Sequence, residues 1–286
     1  MRAAVLALVL LPYAARAEPP VHGRDFPRSL IDRPLILPTN FLEVSLLGNL
    51  SNEGAGTSGA ATALGVEVGS GEGQAGLAVA LPVNPDFGFG SVAGSLAYSL
   101  TRQAAFRIDL GFDHSQGHDG RADTNFYYGA VGLPAKVRLS PWFALVSGRV
   151  GAIDSAHFVN LNDGGGSGFY QGAGQNAFSS SNLLTFTKQE DGPTQIGVNL
   201  PAGLLIQVAD SLALTLRAGY EVIISTSTGD TKHFLPVGLE AVYSPTRDFD
   251  LGASFSLPGP IATTVSSSSL GYTDIRLAVL WLRFRT

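Results

Sequence analysis

The sequence predicts an all-β fold, an antiparallel up-and-down transmembrane β-barrel of about twelve strands, and three observations carry that prediction. Segments of about ten residues alternate apolar and polar side chains with a strand's period of two. The connections between these segments alternate between short turns and longer loops. Aromatic residues gather at the short-turn ends.

The segments fall near 41–50, 61–70, 73–81, 90–100, 104–112, 126–139, 143–153, 194–208, 212–224, 233–243, 249–257 and 272–284. In "LALTLRAGYEVII" Leu212, Leu214, Leu216, Ala218, Tyr220, Val222 and Ile224 form an apolar set, and Ala213, Thr215, Arg217, Gly219 and Glu221 a small and polar one. "FRIDLGF" sets Phe106, Ile108, Leu110 and Phe112 against Arg107 and Asp109. "VGLPAKVRL" sets Val131, Leu133, Ala135, Val137 and Leu139 against Lys136 and Arg138. Segment 143–153 is ambiguous in phase, and the last segment is apolar on both faces near its end.

Short connections follow the even-numbered segments: "SGEG", "TRQ", "SPW", "ADS" and "SPTRD". Longer ones follow the odd-numbered segments, up to the external loop expected over 154–193. A barrel threaded through a bilayer sorts its loops by side in this way. Tyr98, Phe106, Trp142, Tyr243, Phe249 and Trp281 lie at the short-turn ends, where a membrane barrel carries its periplasmic aromatic girdle.

With the apolar set facing hydrocarbon, the polar set faces the lumen. That phase makes Glu43, Glu67, Arg107, Asp109, Lys136, Arg138, Arg217, Glu221, Glu240, Asp274 and Arg276 the lumen-lining candidates. The same charges on the lipid face at mid-bilayer would each cost about 2–4 kcal/mol. Their near balance in sign favours internal ion pairing over a selectivity ring of one sign.

Composition agrees with a membrane barrel. Charged residues make up 14%, below the usual quarter of a soluble chain, with 35 glycines and a net charge of -5. Mean hydropathy is +0.20. No basic surplus for nucleic acid is present, and the absence of cysteine removes disulfides and thiolate metal or redox chemistry. Residues 1–17, "MRAAVLALVLLPYAARA", read as a secretory signal peptide with Ala15 and Ala17 flanking Arg16 at the cleavage site. Residues 18–40 carry Pro19, Pro20, Pro27, Pro34 and Pro38 and are expected to be extended, lying in the periplasm or entering the lumen from below. Residues 41–286 form the barrel.

These features together make the chain resemble Gram-negative outer-membrane β-barrel proteins, and "RPLILPTNFLEVS" resembles the first-strand entry of porin-like barrels of transporter type. The resemblance implies an outer-membrane location and delivery by the outer-membrane insertion machinery, with lipid and small solutes as partners and no cofactor. Such barrels usually end on an aromatic residue, whereas here Phe284 is followed by Arg285 and Thr286.

The expected function is passive or facilitated passage of small solutes, with no reaction catalysed. Two alternatives stay open: an outer-membrane enzyme with a rim site, and a closed barrel that binds a partner at its surface. "DHSQGHDGRAD", with Asp113, His114, His118, Asp119 and Asp123, is the most enzyme-like string, but no second loop offers a nucleophile with oxyanion donors. "NDGGG" at Asn162 lacks the ligand spacing of a calcium site, so no metal is expected. The loop 154–193 is read either as a mobile surface loop or as an infolded gate, similar in length and place to the constriction loops of porins.

Overall fold

The alternating segments are strands. The computed structural model describes residues 25–53, 57–84, 90–115, 123–147, 182–192, 194–257, 259–263 and 275–286. Through them run β1 (Leu42–Glu53), β2 (Thr57–Gly69), β3 (Gly73–Asn84), β4 (Ser91–Thr101), β5 (Ala104–Ser115), β6 (Thr124–Gly132), β7 (Ala135–Arg138) and β8 (Phe143–Ser147). They continue with β9 (Asn182–Gln189), β10 (Thr194–Ala209), β11 (Leu212–Ser225), β12 (Thr231–Phe234), β13 (Val237–Tyr243), β14 (Phe249–Leu257), β15 (Pro260–Thr263) and β16 (Ile275–Arg285). All pairings are antiparallel, and β1 pairs with both β2 and β16, so the sheet closes into a barrel of twelve wall positions.

Four positions are each built from two strands, and proline explains two of them. Pro134 separates β6 from β7, and Pro236 separates β12 from β13. Proline has no N–H to give to the ladder. Its carbonyl still accepts: Ala105 N–H donates to Pro134 (2.9 Å) and Gly219 N–H to Pro236 (3.0 Å). A third break, between β14 and β15, holds Gly259 at φ 62°.

The fourth corrects the expected loop over 154–193. Phe143–Val146 of β8 pair with Gly203–Ile206 of β10, while Leu184–Lys188 of β9 pair with Thr194–Val198 of the same strand. β8 and β9 therefore fill the two halves of one wall position, and β9 joins β10 by a short turn. Leu184 and Phe186 face outward and Thr185 inward, a strand's alternation that the Gly- and Ser-rich surroundings mask in the sequence. Residues 148–181 of the expected strand and loop, the signal peptide, His118, Asp119, Asn162 and Asp274 lie outside the described residues.

The two faces of the wall differ as a bilayer requires. On β11 Ala213, Thr215, Arg217, Glu221 and Ile223 are buried, while Leu216, Tyr220 and Ile224 are exposed. Exposed Leu64, Leu77, Leu96, Leu110, Leu200, Leu239 and Leu280 continue the outer apolar surface around the barrel. Tyr98, Trp142, Tyr243 and Phe284 are exposed at the short-turn end, where a girdle meets the headgroups. Trp281 departs from the expected girdle: only 3% exposed, it points inward beneath the Arg283 guanidinium, 4.6 Å from its ring. The expected sorting of short and long connections is not strict, since β9–β10 and β11–β12 are joined by short connections at the outer end. An apolar exterior and inward charges in a closed antiparallel wall are the architecture of an outer-membrane β-barrel.

Candidate lumen and its periplasmic mouth

Most of the expected lumen charges do point inward. Glu43, Glu67, Arg107, Asp109, Lys136, Arg217, Glu221 and Glu240 are all buried on the inner face. Arg138 shares that inward phase, opposite buried Ala144, but at the end of β7 it has reached the rim, where it is exposed and pairs with Asp32 at 2.5 Å. One does not. Arg276 is exposed and shares the phase of Leu280 and Phe284, while Leu277, Val279, Trp281, Arg283 and Arg285 face in. The inward apolar residues of β16 hide its phase, and the charges at its two ends belong to opposite faces.

Inside, the charges form local groups at successive heights. Arg107 donates from Nε to both oxygens of Asp109, two residues along the same face of β5 (2.9 and 3.0 Å). Gln74 Nε2 donates to Glu67 Oε1 at 3.3 Å. Higher up, Arg217 Nη2 stands 3.6 Å from Glu240 Oε1, with Glu221 four residues further along the same face of β11 and Asn199 opposite it on β10. In contrast, the inner face of β2, β3 and β4 above Glu67 and Gln74 presents small residues, Ala61, Ala63, Gly65, Gly76, Ala78, Ala80, Ser91, Ala93 and Ser95, with Pro82 opposite Ala61.

The densest group lies at the periplasmic mouth and was missed in part. Asp250, at the start of β14, accepts from Arg33 Nη1 (2.6 Å), Arg33 Nη2 (2.9 Å), Ser244 Oγ (2.7 Å) and Arg285 Nη2 (2.5 Å). Glu43 accepts from Arg285 Nε at 2.7 Å and pairs with Arg283 Nε at 3.0 Å, so the first and last strands are joined by charge as well as by backbone. Asp250 was legible, since "FDLGASF" alternates cleanly and places it opposite Phe249 and Leu251. Arg33 was not, because it lies in a stretch with no periodicity.

Arg33 belongs to residues 25–40, which turn back from β1 and cross the mouth, at the lumen entrance that was one of the two expected placements, in turns where an extended run was expected. Leu30 and Ile31 pack in one apolar cluster with Leu47, Ala144, Leu205 and Trp281 of the wall. Lys136 Nζ donates to the carbonyls of Leu30 (2.9 Å) and Arg33, and Ile31 N–H donates to Gln207 Oε1 (3.4 Å). The Phe26 ring lies between two guanidinium groups, 5.3 Å from Arg33 and 4.9 Å from Arg285. Burial lowers the Arg33 pKa, and the hydrogen bond and charge of Asp250 act in the opposite direction.

Trp281 also depends on a neighbour without a side chain. A Cβ at Gly252 would come within 2.0 Å of the indole ring, so the ring lies against bare backbone. Gly252→Leu is expected to destabilise the folded barrel by about 1–3 kcal/mol through overpacking, read as a lower urea midpoint for the loss of folded mobility on gels. An unchanged midpoint would refute the packing.

At the outer rim His114 Nδ1 lies 2.8 Å from Asn125 Oδ1, and its Nε2 is 3.9 Å from Asp123, beyond hydrogen-bond reach. Asn125 Nδ2 donates to Glu190 Oε2 at 2.6 Å. This string ties β5 and β6 to the β9–β10 turn and gives His114 an amide where a catalytic base would have an orienting carboxylate.

No family model matches the chain, and no curated protein matches it in sequence. Among solved structures it is similar to the KdgM porin in complex with disordered oligogalacturonate (5% identity, 85% of this chain and 98% of that one, TM-score 0.42). It is similar to the NanC porin (8%, 84% and 98%, TM-score 0.46) and to the β-domain of the Bordetella autotransporter BrkA (10%, 87% and 100%, TM-score 0.47).

Proposed function

We propose that this outer-membrane barrel passes small solutes of little net charge, by diffusion or facilitated transport and without catalysis. The supporting observation is the Gly-, Ala- and Ser-lined inner face of β2–β4. A twelve-stranded wall encloses more space than an eight-stranded one, whose side chains suffice to fill it. A barrel meant to be solid would need its largest residues here, yet three adjacent strands carry none. The buried charges of the described wall balance: Arg107, Lys136, Arg217, Lys232, Arg283 and Arg285 against Glu43, Glu67, Asp109, Glu221, Glu240 and Asp250. Such a balance favours neither ion sign.

The test is conductance of the folded protein in a planar bilayer under a salt gradient, beside the full-length variant Arg33→Ala/Gly69→Ala, whose mouth is loosened. Discrete steps with a reversal potential near zero are expected. Silence from both proteins overturns the reading, and a strong preference for cations or anions overturns its charge balance.

A further inference from the structure

The segment that crosses the mouth is seated on every side. Arg33 and Arg28 hold the β13–β14 end of the wall, the latter through Nε to Ser244 O at 3.1 Å. On the opposite side Lys136 grips two of its carbonyls, and Gln207 holds its Ile31 N–H. At the β2–β3 turn Leu37 N–H donates to Gln74 Oε1 (2.9 Å) and Thr39 Oγ1 to Ser70 O (2.9 Å). The wall is cut to receive it: a Cβ at Gly69 would fall 2.5 Å from Leu37 Cβ, Leu37 O and Pro38 O.

The seat nevertheless survives without its occupant. With Arg33 removed, Asp250 keeps Arg285 and Ser244, and Glu43 keeps Arg283 and Arg285. No buried carboxylate is orphaned by the segment's departure, and Lys136, which gives up the carbonyls of Leu30 and Arg33, exchanges them for water in the opened mouth. No cysteine tethers it. Asn40, at φ 64°, joins it to β1 and is the one non-glycine residue in the left-handed region among the described residues. Asparagine tolerates that conformation, and the reversal of direction is made in the turn Pro38–Phe41, closed by the Phe41 N–H on Pro38 O at 3.2 Å.

We propose that Phe26–Pro38 is a stopper of the periplasmic mouth, which swings about Asn40 as a unit and controls passage through the lumen. The proposal rests on the channel reading above. When the stopper is seated the mouth is crossed from β2–β3 to β7 and β14, and solute meets a closed floor. When it leaves, Glu43, Asp250, Arg283 and Arg285 line one side of the open mouth and Lys136 the other.

Two readouts on the full-length chain test it. Ala144 is fully buried on the wall, in the apolar cluster that holds Leu30 and Ile31. Ala144→Cys supplies the sole thiol of the protein, and its labelling by a hydrophilic methanethiosulfonate reagent is followed in the folded barrel. Adding Arg33→Ala or Gly69→Ala is expected to speed labelling at least tenfold, the first by removing the anchor and the second by forcing the segment's backbone off its seat. The same two substitutions, without the cysteine, are expected to raise open probability in the bilayer at least tenfold. Labelling rates that do not change overturn the stopper. Conductance equal in all proteins also overturns it while leaving the channel standing. Faster labelling with silence from every protein overturns the channel reading, and control of passage falls with it.

Discussion

Asp250→Ala is expected to weaken the barrel by about 3–5 kcal/mol, the range found when one partner of a buried ion pair is removed. The carboxylate is fully buried and receives the fork of Arg33 together with Arg285 and the Ser244 hydroxyl. Arg283 stands 3.8 Å away. Alanine would leave Arg33 without an acidic partner in a mouth sealed by Phe26 and Leu30, and would leave Arg283 and Arg285 sharing Glu43 alone. The loss is read as a shift in the urea midpoint of the folded barrel in liposomes. Asp250→Asn, which retains an acceptor, should recover part of it. A loss below about 1 kcal/mol would show that the arginines find water instead, and that the mouth is wetter than its packing implies.

Leu216→Arg should impair assembly much more than Arg217→Leu, although the two substitutions sit side by side. Leu216 is exposed on the outer face near the middle of β11, where an arginine costs about 2–4 kcal/mol in hydrocarbon. Arg217 points inward. Glu240 stands 3.6 Å from it on the inner face, away from hydrocarbon, where leucine carries no charge to desolvate. The fraction of each variant that folds into lipid vesicles, resolved by gel mobility, measures the difference. Equal yields would contradict the assignment of faces.

The strand alternation was legible because hydrocarbon imposes it residue by residue. Each of Leu212, Leu214 and Leu216 must face out, and each of Thr215, Arg217 and Glu221 must face in, whatever the rest of the chain does. The same reading found Asp109 and Glu67 in place. It failed where one face loses its chemical contrast. In β16 the inward Leu277, Val279 and Trp281 look like lipid-facing residues, so Arg276 was assigned inward and Trp281 outward, each on the wrong side. β9 failed differently: its eight residues alternate, but it joins the wall after a long interruption, and only its pairing with β6 and β10 shows that it belongs there.

By itself the sequence determined that this protein is a membrane barrel, how many wall positions it has, and which side chains meet lipid wherever the two faces of a strand differ in polarity. Those are local consequences of a solvent that accepts no unpaired backbone and few charges. Only the tertiary structure decided which charges meet. Arg33, Glu43, Asp250 and Arg285 are far apart in sequence and gather because the closing of β1 on β16 brings the entry to the first strand and the end of the last to one mouth. No period in the sequence encodes that meeting, since it depends on closure of the whole ring. The crossing of the mouth by residues 26–38 follows from it, because the partners that hold the segment exist together only after the barrel has closed.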